Sequence, residues 1–157
     1  MRARKLAIVG LIVLLQTSIL AEQQRFVLLT ASEAKAVAAL YPKSGPKKVT
    51  GAWNPTEAEI HDLEANLHQV SDLSRKSDRN FTKIEHPETY FRQYVGILQA
   101  GQKRIYINAF CGFNGNQPPP LWSVHLITVS DGGSCAWQSL YDPSSKTYLE
   151  LSVNGVA

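Results

Sequence analysis

The residues best suited to covalent chemistry are two cysteines and one histidine: Cys111, Cys135 and His125. A thiolate beside an imidazole makes the nucleophile of thiol enzymes and some hydrolases. A reactive cysteine, however, needs a positive pocket or a helix start, and both cysteines here fall on or just past strand-like segments beside glycines. The same pair can instead form a disulfide in an oxidising compartment, or remain free as small buried apolar side chains. The other histidines do not make a metal site. His61 and His68 stand seven apart on a helical stretch, two turns or about 10 Å, where zinc-binding helices use a spacing of four. Each has a glutamate four residues earlier, Glu57 or Glu64, which gives an ordinary exposed pair. His86 precedes Pro87 in a loop. Ser134 lacks the Gly-x-Ser-x-Gly frame of a nucleophile elbow, and Asp131 and Asp142 are single turn residues without calcium-loop spacing. No metal or cofactor is expected.

Recognition is the other chemistry on offer. Alternation along the strand-like segments places Arg92, Tyr94, Tyr106 and Asn108, with His125, on one face of a sheet. The opposite face takes Phe91, Val95, Ile97, Ile105, Ile107, Ala109, Leu149, Leu151 and Val153 as core. Tyrosine and arginine anchor protein interfaces, although cross-strand tyrosines also stabilise a one-sided sheet. The stretch 111–121, with Phe113, Asn114-Gly115-Asn116 and Pro118 to Pro120, is a second candidate, because long irregular loops in compact domains tend to be functional.

The elements that must position these residues change character along the chain. Thr30 and Glu33 read as a capping box before a short alanine-rich helix ending at Tyr41-Pro42. Lys43 to Gly51 is a basic linker. Asn54-Pro55-Thr56-Glu57 then supplies a cap and a first-turn proline, with Trp53 folding back on Ala58. Ile60, Leu63, Leu67 and Val70 continue one apolar stripe, so a single long helix is expected to about Leu73. From Tyr90 the period becomes two. Segments 89–98, 104–110, 122–129, 134–141 and 147–153 are rich in β-branched and aromatic residues and separated by turns such as Asp131-Gly132-Gly133 and Asp142-Pro143. The expectation is an α+β domain over 51–157: one long helix packed on a four- to five-stranded antiparallel sheet, preceded by the short N-terminal helix. In such a meander Cys111 and Cys135 lie at opposite edges. A strand of eight residues spans roughly 25 Å, while bridged Cα atoms lie within about 7 Å, so meander and disulfide compete.

Residues 1–21 read as a secretory leader: Arg2, Arg4 and Lys5, an apolar run from Leu6 to Leu15, then polar residues to Ala21. The run is about half a membrane span, so no stable anchor is expected, and the chain is assigned to the periplasm or the exterior. Without the leader, 13 basic and 13 acidic residues balance, which leaves no long-range attraction to nucleic acid. Residues 22–50 carry net +3 and 57–88 net −4; the cluster of Arg75, Lys76 and Arg79 is interleaved with Asp72 and Asp78, as on a solvated helix face.

Gly51-Ala52-Trp53-Asn54-Pro55 with Leu63-Glu64, Tyr94-Val95-Gly96 with Ile105-Tyr106-Ile107-Asn108, and Asp131-Gly132-Gly133 before Tyr141-Asp142 resemble a group of small exported bacterial proteins with a cystatin-like helix-on-sheet shape. The resemblance spans 51–155 and implies a fold and an envelope location, with no catalytic residue. The reading as a whole is a non-enzymatic, exported binding or inhibitor-like protein whose partner is another envelope or extracellular protein or peptide. The alternative is an envelope thiol enzyme or hydrolase using a Cys–His pair, and a third class is a purely structural envelope component.

Overall fold

A computed structural model describes residues 24–76, 83–114 and 116–155. The leader expected at 1–21 lies outside the described residues, as do Asp78 and Arg79 of the mixed-charge cluster and Gly115 of the long loop.

The architecture is α+β, but the sheet is six-stranded and mixed, and no long helix lies on it. In chain order the elements are β1 (Phe26–Leu28), α1 (Ala34–Leu40), β2 (Val49–Ala52), α2 (Glu57–Ala65), α3 (Gln69–Lys76), β3 (Phe91–Gln99), β4 (Gln102–Phe110), β5 (Ala136–Asp142) and β6 (Thr147–Val153). The sheet runs β1-β3-β4-β5-β6, with β2 sharing the β3 edge with β1. β1 pairs parallel to β3, and every other pairing is antiparallel. Residues 26–28 and 49–52 were too short to show a period, yet they fill the two halves of one edge.

The expected single helix is two helices, α2 and α3. Thr56, rather than Asn54, caps α2: its hydroxyl accepts from the Glu59 backbone N–H while the Glu59 carboxylate accepts from the Thr56 N–H at 2.8 Å. At the other end the Asn66 side chain donates to the Asp62 carbonyl at 2.8 Å. That bond competes with continuation of the helix, and the axis restarts at Gln69. Trp53 does not fold onto Ala58 as a staple; its indole N–H reaches the carbonyls of Ile97 and Arg104 at 3.1 and 3.0 Å, with the Lys103 ammonium 4.5 Å above the ring. The chain enters α2 pressed against Gly96, where a Cβ would stand 2.2 Å from the Trp53 carbonyl oxygen. Thr30 likewise does not cap the first helix; its hydroxyl bonds the Ser32 hydroxyl instead.

The expected face assignment fails by one residue. Gln99 pairs with Gln102, so the β3–β4 hairpin has a two-residue turn, Ala100-Gly101, with φ of 50° and 74° as a type I′ turn requires. A two-residue loop sets Tyr94 opposite Ile107 and Val95 opposite Tyr106, and a slip of one position exchanges the faces of a whole strand. Both faces are in fact covered. Tyr94, Ile105, Ile107, Ala109, Trp137 and Tyr148 pack under α2 and α3 with Ile60, Leu63 and Val70. Val95, Ile97, Tyr106 and Leu140 pack under α1 with Leu29 and Val37. Segment 122–129, expected as a strand, is irregular. Removing it makes β4 and β5 neighbours, so the competition between meander and disulfide disappears: Cys111 and Cys135 flank that pair, with Cα atoms 4.9 Å apart, and are bridged.

Candidate functional site

The five residues expected to share one face are divided between two. Arg92 and Tyr94 point under α2, where both are buried. The Arg92 guanidinium donates to both Glu64 carboxylate oxygens at 3.2 and 3.0 Å, to the Tyr94 hydroxyl at 3.0 Å, and to the carbonyls of Pro87, Glu88 and Tyr90. The Tyr94 hydroxyl donates in turn to Glu64. Burial works against the Arg92 charge, but Tyr94 and Glu64 outweigh it and its pKa lies above the ordinary arginine value. Burial first, then Glu64 and Tyr148, pushes the Tyr94 phenol well up against the opposing pull of Arg92. Every guanidinium nitrogen is engaged internally, so this trio braces α2 and the 87–90 turn against the sheet.

Tyr106 and Asn108 lie on the other face, both buried. Asn108 belongs to a set of side chains that fasten the irregular segment 121–130 across the sheet. Gln93, fully buried, donates to the carbonyls of Trp122 and His125 at 2.5 and 2.6 Å, and its own carbonyl oxygen accepts from Asn108 and from the Ile127 N–H. Asn108 also donates to the Ile127 carbonyl, Asn154 to the Val129 carbonyl, and the Leu126 N–H to Glu33 on the turn before α1. These side chains supply the backbone partners a neighbouring strand would otherwise give. The segment lies over the sheet as a strap, not within it. His125 is the one exposed member of the five and sits 3.5 Å from Glu33.

Ahead of the strap, the chain from Cys111 to Trp122 forms a compact knob. Its base is the disulfide and the aromatic cluster of Phe91, Phe110 and Trp122, with Trp122 edge-on at 5.5 and 6.5 Å. Its tip is a closed loop in which Phe113 and Gln117 exchange N–H···O bonds of 2.7 and 2.9 Å. Pro118 to Pro120 lead to Leu121, held at φ 62°, a left-handed conformation that costs a branched residue strain. The Leu121 carbonyl accepts from the N–H groups of both Val124 and His125 at 3.0 Å, which fixes the bend. Phe113, Leu121 and Val124 stand 46, 65 and 52% exposed. From Ile105 to Ser130 the chain has no Asp, Glu, Lys or Arg. The result is a braced, uncharged segment that exposes three large apolar side chains.

Beside the strap is an open groove of about 520 Å³ floored by Tyr106, Asn108, Gln138 and Ser152 and edged by Tyr41 and Glu150. Burial, then the Glu150 charge, pushes the Tyr41 phenol up to about 12, and Lys47 bridges Glu150 at 2.9 Å across the mouth. Both sulfurs of the expected Cys–His site are in the disulfide, so neither offers a thiolate to His125. His61, His68 and His86 are exposed and separate; among the described residues no three His, Cys, Asp or Glu side chains are grouped as metal ligands.

Sequence reasoning missed Gln93, Glu33 and Asn154, which hold the strap. A glutamine at 93, on the face that alternation gives to Phe91, Val95 and Ile97, was the available signal, since a buried amide needs partners from outside its own ladder. No helix among the described residues is long and apolar enough to cross a membrane. The chain matches no family model, no curated protein and no solved structure.

Proposed function

We propose that the chain is an exported, non-enzymatic binding protein of the inhibitor type, which works in the periplasm or outside the cell and engages another protein through the knob at 111–124. The observation that carries this reading is Leu121: an exposed leucine kept at positive φ, where Asn or Gly would sit with less strain. Strain retained at a solvent-exposed apolar bend serves presentation of that side chain, not the core. A loop braced by a disulfide, three prolines and a half-buried tryptophan loses little freedom on binding, which raises affinity without added contacts. The bridge is compatible with an oxidising compartment.

The test replaces Leu121→Asn and Val124→Asn together and measures retention of envelope and extracellular proteins on the immobilised chain. Loss of these two apolar side chains should cut retention at least tenfold, as for an interface anchor. Thermal stability should hold or rise by up to about 1 kcal/mol as the Leu121 strain is relieved. Equal retention by the double variant overturns the reading.

A further inference from the structure

The two edges of the sheet are unlike. One is divided between β1 and β2, three and four residues long, and brevity is itself protection against unwanted pairing. The other is β6, seven residues long. Its first half is guarded: the Tyr148 N–H, which faces outward, donates to the Gln69 side chain at 3.0 Å, and Leu149 is the unpaired residue of a bulge, because Leu140 pairs with Glu150 and Tyr141 with Tyr148. The second half has no such device. Asn154 donates to the Ala136 carbonyl, so in the alternating antiparallel ladder Ser152 and Glu150 also bond inward, and the N–H and C=O of Leu151 and Val153 face away from β5. No described residue bonds those four groups. Segment 150–153 contains no proline or lysine, and Glu150, its sole charge, is paired with Lys47.

This open half-strand is complementary to itself. In an antiparallel pairing centred on Ser152, Leu151 of each copy exchanges both hydrogen bonds with Val153 of the other. The side chains of that pair meet on the α3 face, where Leu151 and Val153 already border the core with Leu73. Glu150 falls opposite Asn154, so no like charges oppose one another. The contact is isologous and closes after two copies.

We propose that β6 is a self-pairing edge: two copies of the chain join their sheets antiparallel through Leu151 and Val153, with Ser152 facing Ser152 of the second copy across a two-fold axis. The pairing shares no residue with the knob, which leaves the sheet at Cys111, past the end of β4.

Sedimentation velocity over a concentration series of the oxidised chain tests it first. A monomer–dimer equilibrium is expected with a midpoint on the order of 100 μM, as suits an interface at the small end of the specific range. Leu151→Pro removes one outward N–H and no rung of the β5–β6 ladder, and should shift the midpoint at least tenfold upward. The register has its own test, which weak association does not obscure. Ser152→Cys should form an intermolecular 152–152 link when two thiols give up two protons and two electrons to added diamide, because their Cα atoms would lie about 4.5 Å apart. Glu150→Cys should not link, being displaced two residues from the axis on each strand. A monomer at all concentrations with no Ser152→Cys link assigns the edge to a foreign strand or to solvent and overturns the pairing. A dimer that links equally through both positions, or that survives Leu151→Pro, also overturns it.

Discussion

Arg92 shows how far a side chain's type misleads about its place. An arginine between tyrosines on a strand invites an interface, yet its guanidinium donates to six oxygens inside the fold. Removing it leaves the Glu64 carboxylate with the Tyr94 hydroxyl but no balancing charge, and takes the guanidinium donor from three carbonyls of the 87–90 turn. Arg92→Ala should therefore cost about 3–5 kcal/mol, the usual penalty for breaking one partner out of a buried pair, read from the midpoint of a urea curve. A loss under 1 kcal/mol would mean the trio is hydrated and contributes little. Tyr106 was misplaced for a simpler reason. Its expected position assumed a three-residue hairpin loop at 100–102, and the two-residue loop turns it to the opposite face from Tyr94. Alternation was legible in each strand by itself; the phase between strands was set by one turn residue, Ala100, whose positive φ no pattern of apolar residues announces.

Among elements, the segment 122–129 is the instructive one. Its composition is that of a strand, and it does lie against the sheet. Its backbone is fastened by side chains, however, and Gln93 alone makes three of those bonds. Gln93→Leu would leave those groups on the strap and Asn108 without that partner, at about 1–3 kcal/mol for a buried unsatisfied polar group. Amide exchange at Ile127 and its neighbours should then quicken far more than in β3–β6, and uniform exchange rates would show the strap is held by its apolar contacts instead. The antiparallel strands from 91 onward were legible, because each has a full period; the start of α2 was legible only to within two residues, since the cap is Thr56 with Glu59 and not Asn54. The break at Asn66 was not, since an apolar stripe continues across it through Leu67 and Val70. β1 and β2 were not, because three or four residues define no period. The possibility of a bridge between Cys111 and Cys135 was legible; its geometry was obscured only by counting the strap as a strand between them.

At the scale of the molecule, the sheet is covered on both faces by short pieces, and the aromatic rings are drawn inward with them. All six tyrosines have pKa values raised above the ordinary 10.0, in each case with burial as the largest cause. A phenol that ionises more readily in the unfolded chain than in the folded one favours folding below the unfolded value and opposes it above. Stability should be whole below pH 10 and decline as pH rises through the unfolded tyrosine value towards the folded ones. The ultraviolet titration of the phenols is then expected to be steep and to coincide with loss of circular dichroism. Six phenols titrating near 10 with the fold intact would contradict the burial described above.

The parallel place of β1 has a consequence for how the chain comes together. Strands β3 to β6 pair in sequence order; the β3–β4 and β5–β6 hairpins close on short turns, and β4 and β5 are joined through the disulfide-closed segment 111–135. β1 instead waits for a partner that lies beyond both α2 and α3, and its docking closes the longest loop of any strand pairing in the sheet. Non-local pairings of this kind come late, because the entropy of the loop is lost before any contact repays it. The N-terminal strand is thus a latch thrown after assembly of the meander, and in reverse it is the first strand to lift when the protein breathes.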